Sequence, residues 1–211
     1  LDAVSTPTSN GGSATTLTVS HTCTGTNLIL FVGFHTDNDD VTGVTYNGVA
    51  LTKVDNRQVT ADKWTNLWFL AGPATGTHDI VVTCTASQSI TGYGVSYTGA
   101  SQTGQPDSSN TASVVAATDI ALATTVVASD CWLVCFAKNN IDVFGAGSGT
   151  TLRGGAQVNQ MADSNGTVAT WSQSLNLTLT IGNAAGVVAS FAPVSVTTSL
   201  VRRRMMVGIG T

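Results

Sequence analysis

The densest acidic chemistry in the chain is the run HTDNDDV, which places Asp37, Asn38, Asp39 and Asp40 just after an apolar stretch. Calcium takes about six to eight hard oxygens, and three carboxylates, one amide and the loop's own carbonyls supply most of such a shell. Asp37, Asp39 and Asp40 are therefore candidate calcium ligands, and calcium is the one cofactor the sequence suggests. The same residues also build an ordinary solvated turn, because Asp and Asn side chains bond their own backbone. No D-x-D-x-D-G loop is present, and all twelve acids are Asp, so the bidentate Glu that closes an EF-hand shell is missing.

Nucleophilic catalysis is poorly served. The stretch YGVSYTG holds Gly94, Ser96 and Thr98, so the second glycine of a G-x-S-x-G elbow is replaced and the context is a strand. His21, His35 and His78 are scattered singly, and their spacing assembles no Ser/His/Asp triad. Gly145, Gly147 and Gly149 in FGAGSGTT fail the dinucleotide pattern, since Thr150 follows, no helix opens there and no Lys provides a P-loop. The lack of Glu removes every mechanism that needs a Glu general acid. These features predict a protein that is not an enzyme.

Cys23, Cys84, Cys131 and Cys135 are too few for a disulfide framework in 211 residues. Cys131 and Cys135 share one strand at i and i+4, ~13 Å apart, whereas a disulfide needs Cα atoms within ~7 Å. Cys23 and Cys84 pair only if the fold makes their strands neighbours, and three or four of the thiols read as small buried hydrophobes. The spacing offers no zinc site. Trp64, Trp68, Trp132 and Trp171 fall in predicted strands, where core packing is their ordinary role. Trp64 and Trp171 are the two candidates for glycan stacking, given how often aromatics line ligand sites.

The end of the chain has a chemistry of its own. In SLVRRRMMVGIGT, Arg202, Arg203 and Arg204 precede Met205 and Met206, the sequence's only Met pair. Arg and Met are both enriched at protein interfaces, so this segment is a candidate partner-binding tail; a solvated terminus is the plain alternative.

The elements that position these residues follow from composition and period. Charged residues are 9% of the chain, against roughly 25% in ordinary globular proteins, while Thr (34) and Ser (19) make up about a quarter of it. Thr and Val suit pleated, half-buried surfaces, and the scarcity of Lys and Arg with no Glu removes the usual wet face of a long helix. Apolar and β-branched residues alternate in short runs closed by Gly, Asn, Asp or Ser, the pattern of antiparallel strands and turns. The near-continuous run Leu28 to His35 reads as a central strand, and Asn47-Gly48 between two alternating runs reads as a type I′ hairpin. The strands expected from there on are Lys63 to Leu70, His78 to Thr85, Thr91 to Thr98, Ser113 to Ala117, Ile120 to Val126, Cys131 to Ala137, Ile141 to Gly145, Ala156 to Met161, Thr167 to Ser174, Leu175 to Thr180 and Val187 to Ala192.

The predicted fold is all-β: a two-sheet antiparallel β-sandwich of jelly-roll type over residues 15–193, preceded by an extension (1–14) and followed by a short C-terminal tail (194–211). The net charge of −4 gives no basic face, so nucleic acid is not an expected partner. Leu28 to Phe34 and Cys131 to Ala137, the two most apolar runs, are each seven residues, far below the ~20 of a membrane helix, and no membrane partner is expected. The chain opens at Leu1 without a charged n-region or an initiator Met, which fits removal of a leader or an omitted preceding segment.

The strings TLTVSHTCTGTNLILFVGF, VTGVTYNGVALTKV, LWFLAGPATGTHDIVVTCTAS and GVSYTGASQ resemble a β-sandwich domain widespread in secreted bacterial proteins and phage structural proteins, usually linked to lectin-like jelly-rolls. The resemblance runs from Thr15 to about Pro193; it implies a fold and an extracellular or virion setting, and it brings no catalytic motif. The basic, Gly-ended C-terminus is similar to those of small phage virion proteins. The implied function is a non-catalytic structural subunit of an extracellular assembly, such as a capsid decoration, head-fibre or tail-associated virion protein. Its implied partners are copies of itself or a capsid or tail protein. A carbohydrate-binding module of a secreted bacterial protein, with a surface glycan as partner, is the second expectation, and a hydrolase the last.

Overall fold

The computed structural model describes residues 1–12, 14–155 and 157–195. Its first half holds β1 (Ala3–Val4), β2 (Thr8–Ser9), β3 (Ala14–Cys23), β4 (Ile29–Thr36), β5 (Val41–Tyr46), β6 (Val49–Ala50), β7 (Thr52–Thr60), β8 (Lys63–Ala71), β9 (Gly76–Gln88) and β10 (Ile90–Tyr97). The second half holds β11 (Ser108–Val126), β12 (Trp132–Asn139), β13 (Gly145–Ala146), β14 (Thr151–Arg153), β15 (Asn159–Asp163) and β16 (Trp171–Phe191).

The protein is an all-β sandwich of packed sheets, and it stacks three where two were expected. Sheet I runs β1-β10-β4-β8-β7 with β2 also on β10; sheet II runs β3-β9-β5-β6; sheet III runs β11-β16-β12-β15-β14 with β13 on β16. Sheet I is the middle layer, which is why β4 is buried at every position: Leu30, Val32 and Phe34 pack against Leu17, Val19, Val44 and Ile80 of sheet II, while Ile29 and Phe31 pack against Val134, Phe136 and Phe191 of sheet III. A strand covered on both faces needs apolar residues at both parities, and the run ILFVGF supplies them. At Gly33 the backbone packs closely on sheet III, since a Cβ there would lie 2.3 Å from the Phe136 ring and 2.5 Å from Met161 Sδ.

Sheet III folds over itself. Ser108–Val114 of β11 pairs with Ala184–Ser190 of β16 in the layer facing sheet I, whereas Ala117–Val126 pairs with Trp171–Gly182 in a further outer layer. The ribbon bends at a double irregularity around Ala117, where Ala116 takes φ +48° and its N–H is received by Asn183 Oδ1 at 3.1 Å. Leu122, Leu175 and Leu177 of the outer layer then close over Leu133, Cys135, Ala137 and Val188 in a third core. Burial along β16 follows this: it alternates from Leu175 to Leu179 and becomes continuous from Ala184.

The hairpin at Asn47-Gly48 forms as expected, with φ of +50° and +76°. Several expected boundaries move. The short strands read at Ser113 to Ala117 and Ile120 to Val126 are one bent strand, as are the three read between Thr167 and Ala192. Of Ile141 to Gly145 only Gly145 is in a strand, and β7 extends well past the hairpin that announced it. Residues 1–14, expected as an extension, contribute β1 and β2 to an edge of sheet I and open β3.

Candidate functional site

Three places gather chemistry-bearing side chains, and the first is an open trough along β7, the free edge of sheet I. Asn56, Arg57, Gln58, Val59, Thr60 and Ala61 form one wall, and Trp64 and Ser113 complete the lining of roughly 680 Å³. The strand pairing places Gln58 opposite Trp64 and Arg57 opposite Thr65. Trp64 is half-buried, so its ring is anchored yet partly open. Arg57 Nε and Nη2 donate to Ser113 Oγ at 3.3 and 2.9 Å, tying this edge to sheet III. No carboxylate lines the trough, and no described acid forms an ion pair with Arg57. By the alternation of faces along the strand, Arg57 points to the opposite face of the sheet from Trp64, toward sheet III, and on the Trp64 face an aromatic ring beside amides and hydroxyls is a surface for polar ring-shaped ligands.

The second place is the Asp37–Asp40 turn, where the candidate calcium ligands lie. Lys63 Nζ donates to Asp37 Oδ1 at 2.5 Å, with His35 Nε2 at 3.6 Å; Asn56 Nδ2 donates to Asp39 Oδ1 at 2.5 Å; Asp40 accepts from Ala86 N at 2.9 Å and from the Gln88 amide. The three carboxylates thus turn toward different strands, β8, β7 and β9, and act as ties from the exit of β4. Among the described residues no group of three His, Cys, Asp or Glu side chains converges on a metal position. Burial raises the Asp37 pKa, but the Lys63 hydrogen bond and charge outweigh it and hold the carboxyl below its usual value. Behind this turn, burial pushes His35 down to about 4 and Lys138 down to about 8. His35 is then neutral at physiological pH, and the Lys138 ammonium gives one hydrogen bond to Asn139 O at 2.6 Å.

The third place escaped sequence reading. Ser5, His21, Ser96 and Asp2 form a continuous chain of hydrogen bonds: Ser5 Oγ to His21 Nδ1 at 2.6 Å, His21 Nε2 to Ser96 Oγ at 3.0 Å, and Ser96 Oγ to Asp2 Oδ2 at 2.7 Å. Because the Ser96 hydroxyl spends its proton on Asp2, His21 donates from Nε2 and receives the Ser5 hydroxyl at Nδ1, which is the neutral imidazole. Burial pulls the His21 pKa down to about 4, with the Asp2 charge opposing it. The arrangement has the residue types of a triad, but Ser5, His21 and Ser96 are all buried and none of them lines a described cavity. Its work is to clip β1 onto β3 and β10. Residues separated by up to 94 positions gave no local signal for it.

The remaining expectations resolve as follows. Trp171 is 78% exposed at φ +81° on sheet III, and Trp64 is half-buried on sheet I. All four cysteines are free and buried; burial raises each thiol, Cys84 to about 11 and Cys131 to about 12. Arg202, Arg203, Arg204, Met205 and Met206 lie outside the described residues.

Two features of sheet III were also not foreseen. Val115, Val127, Ile141, Val143, Trp171 and Ile181 are exposed large apolar side chains on its strands and connections. The outer run of β11, Ala117 to Val126, ends the sheet with no strand paired on its other edge among the described residues and carries a single charge, Asp119; at Ala123 that edge is capped by Asn110 Nδ2, which donates to the carbonyl at 2.9 Å. By contrast the β7 edge carries Lys53, Asp55 and Arg57. Comparison with family models, with curated proteins and with solved structures finds no match.

Proposed function

We propose that this chain is a non-catalytic structural subunit of an extracellular assembly, a virion-surface protein of the capsid-decoration, head-fibre or tail-associated kind, which associates with copies of itself through sheet III. The observation that carries the reading is the outer run of β11. An open, nearly uncharged sheet edge is a template for strand pairing, and monomeric proteins ordinarily blunt such edges with charges. The β7 edge is blunted in this way and the β11 edge is not. Exposed Val115 and Ile181 at the bend extend the apolar surface, and a body with so few charges puts little electrostatic repulsion between copies. The virion setting rests on the resemblance of the strand motifs. In this reading Arg202 to Met206 anchor the subunit to a capsid or tail protein. Sedimentation of the chain with lysines placed on the β11 edge tests the self-association.

A second reading, a carbohydrate-binding module, is favoured by one observation, the Trp64 trough. A half-buried ring flanked by Asn56, Gln58 and Thr60 has the stacking face and planar hydrogen-bonding groups that a sugar uses. Titration with oligosaccharides tests it.

A further inference from the structure

We infer that the cavity at one open end of the layer between sheets I and III takes a small quaternary ammonium ligand of the choline type, its methyl groups on an aromatic wall and its charge beside Asp130. β10 ends at Tyr97, β12 opens at Trp132 and β16 ends at Phe191, so the aromatic core of this layer comes to the surface where those strands stop. Trp132 stands opposite Phe191 in the strand pairing, and the Tyr97 ring centroid lies 5.7 Å from that of Trp132 and 4.9 Å from that of Phe191. The three rings, with Leu1 and Pro193, line a cavity of roughly 240 Å³ that Asp130 also lines.

The rings pack against one another, so a cation rests on the wall they form and does not pass between them. Tyr97 and Phe191 are nearly buried, and Trp132 is the ring most open to solvent. The negative face of an aromatic ring attracts a cation within about 6 Å, and tryptophan does so best. Asp130 is exposed at φ +59° in the turn before β12. No Lys, Arg or His lines the cavity, and among the described residues no cation, the Leu1 amino group included, pairs with Asp130. A carboxylate without a cationic partner beside an aromatic wall is complementary to a positive charge. The apolar wall decides which kind. A primary ammonium must replace its hydrogen bonds to water when it is buried, whereas a quaternary one has none to lose and gains by burying its methyl groups. The volume lies below the about 300–1,000 Å³ of ordinary ligand pockets, which suits a head group. Five basic side chains against twelve acids give the described residues a side-chain charge of −7, so the field of the surface also draws cations.

The test is calorimetric titration of the full chain with choline, with its neutral isostere 3,3-dimethylbutan-1-ol, and with ammonium chloride as a cation without methyl groups. The expected result is saturable choline binding at least tenfold tighter than that of the other two, weakened at least fivefold in Asp130→Asn and lost in Trp132→Leu, with Trp132→Tyr recovering part of it. Asparagine tolerates the positive φ of this turn, so Asp130→Asn should keep the parental melting temperature and carries the test even if Trp132→Leu fails to fold. Trp64→Ala should bind choline as the parent does, which separates this cavity from the trough on β7. Equal binding of the neutral isostere overturns the inference by showing an apolar pocket indifferent to charge. Equal binding of ammonium overturns it by showing charge without the aromatic wall. Choline binding unchanged in Asp130→Asn, or no choline binding at all, also overturns it.

Discussion

Tyr97 donates its hydroxyl to Asp163 Oδ2 at 2.7 Å, and Arg153 clasps the same fully buried carboxylate from the other side. The contact links β10 of sheet I to β15 of sheet III, with Phe31, Phe69 and Phe191 among the apolar groups of the same interface. With the Asn165 backbone N–H also donating to Oδ1 at 2.9 Å, this buried carboxylate accepts four hydrogen bonds from three residues and fixes how the two sheets meet, because any sliding breaks charge-assisted bonds in a low-dielectric place.

Removing the carboxylate alone should be costly. Asp163→Ala leaves the Arg153 charge half-buried without its partner and the Tyr97 hydroxyl unpaired, and breaking such a pair costs about 3–5 kcal/mol. Tyr97→Phe removes one hydrogen bond and should cost about 1–2 kcal/mol. Urea unfolding monitored by tryptophan fluorescence measures both; equal, sub-kilocalorie losses would show that the apolar groups alone hold the two sheets.

Acid should destabilise the protein well above the range in which carboxylates titrate. His21 and His35 are held near a pKa of about 4, below the 6.5 of an unfolded histidine. The unfolded chain therefore binds more protons between these values, and stability present above pH 6.5 is lost as pH falls toward 4. Asp2 and Asp37, with folded pKa values below 3.8, continue the loss at lower pH. Urea midpoints recorded from pH 7 to pH 4 should fall steadily, and the fall should be shallower in His21→Gln and in His35→Gln. A flat profile in the parent protein would contradict the burial of neutral imidazoles.

The thiols should be silent in the native state. Each is buried and raised above its usual pKa, so little thiolate is present at pH 8. Ellman's reagent should label no cysteine in native protein and all four after unfolding, and reductant should move the melting temperature only slightly. A large drop on reduction would mean a bridge between Cys23 and Cys84.

Gly33 should tolerate no side chain. An added Cβ would sit inside the Phe136 ring contact, so Gly33→Ala forces the sheets apart and should cost about 1–3 kcal/mol or more. Gly43→Ala, with nothing within 4 Å of the added atom, is the control and should be near neutral. Thermal unfolding of the two variants side by side gives the comparison.

Local signals carried the parts of the fold that local physics decides. Asn47-Gly48 announced its turn because two successive positive φ values select those residues, and Leu28 to His35 announced a central strand because burial on both faces leaves no polar parity. The third sheet was hidden by β16, whose first half alternates like a surface strand and whose second half is continuous like a core strand. Read separately, these look like different strands, and on β11 the bend at Ala116 and Ala117 has no Gly or Pro to mark it, the glycine at the bend being Gly182 of β16 opposite Ala117. The candidate sites show the same division. Trp64 was legible as one of two stacking candidates among four strand tryptophans, while Arg57 and Ser113, 56 positions apart, become partners only when β7 meets β11. The acidic turn reads as a candidate metal shell from the oxygens that are close along the chain, while where each carboxylate points is decided by its tertiary partners. Asp37, Asp39 and Asp40 face three different strands.

Sedimentation equilibrium on the parent chain and on the double variant Ala121→Lys, Thr125→Lys tests the central claim, self-association through the open edge of sheet III. Both side chains are exposed on the outer run of β11, so the lysines should leave the fold and its melting temperature unchanged while guarding the edge as charges do elsewhere. The account predicts an oligomer for the parent protein and a monomer for the variant. A parent protein that stays monomeric, or a variant that assembles as the parent does, would contradict it.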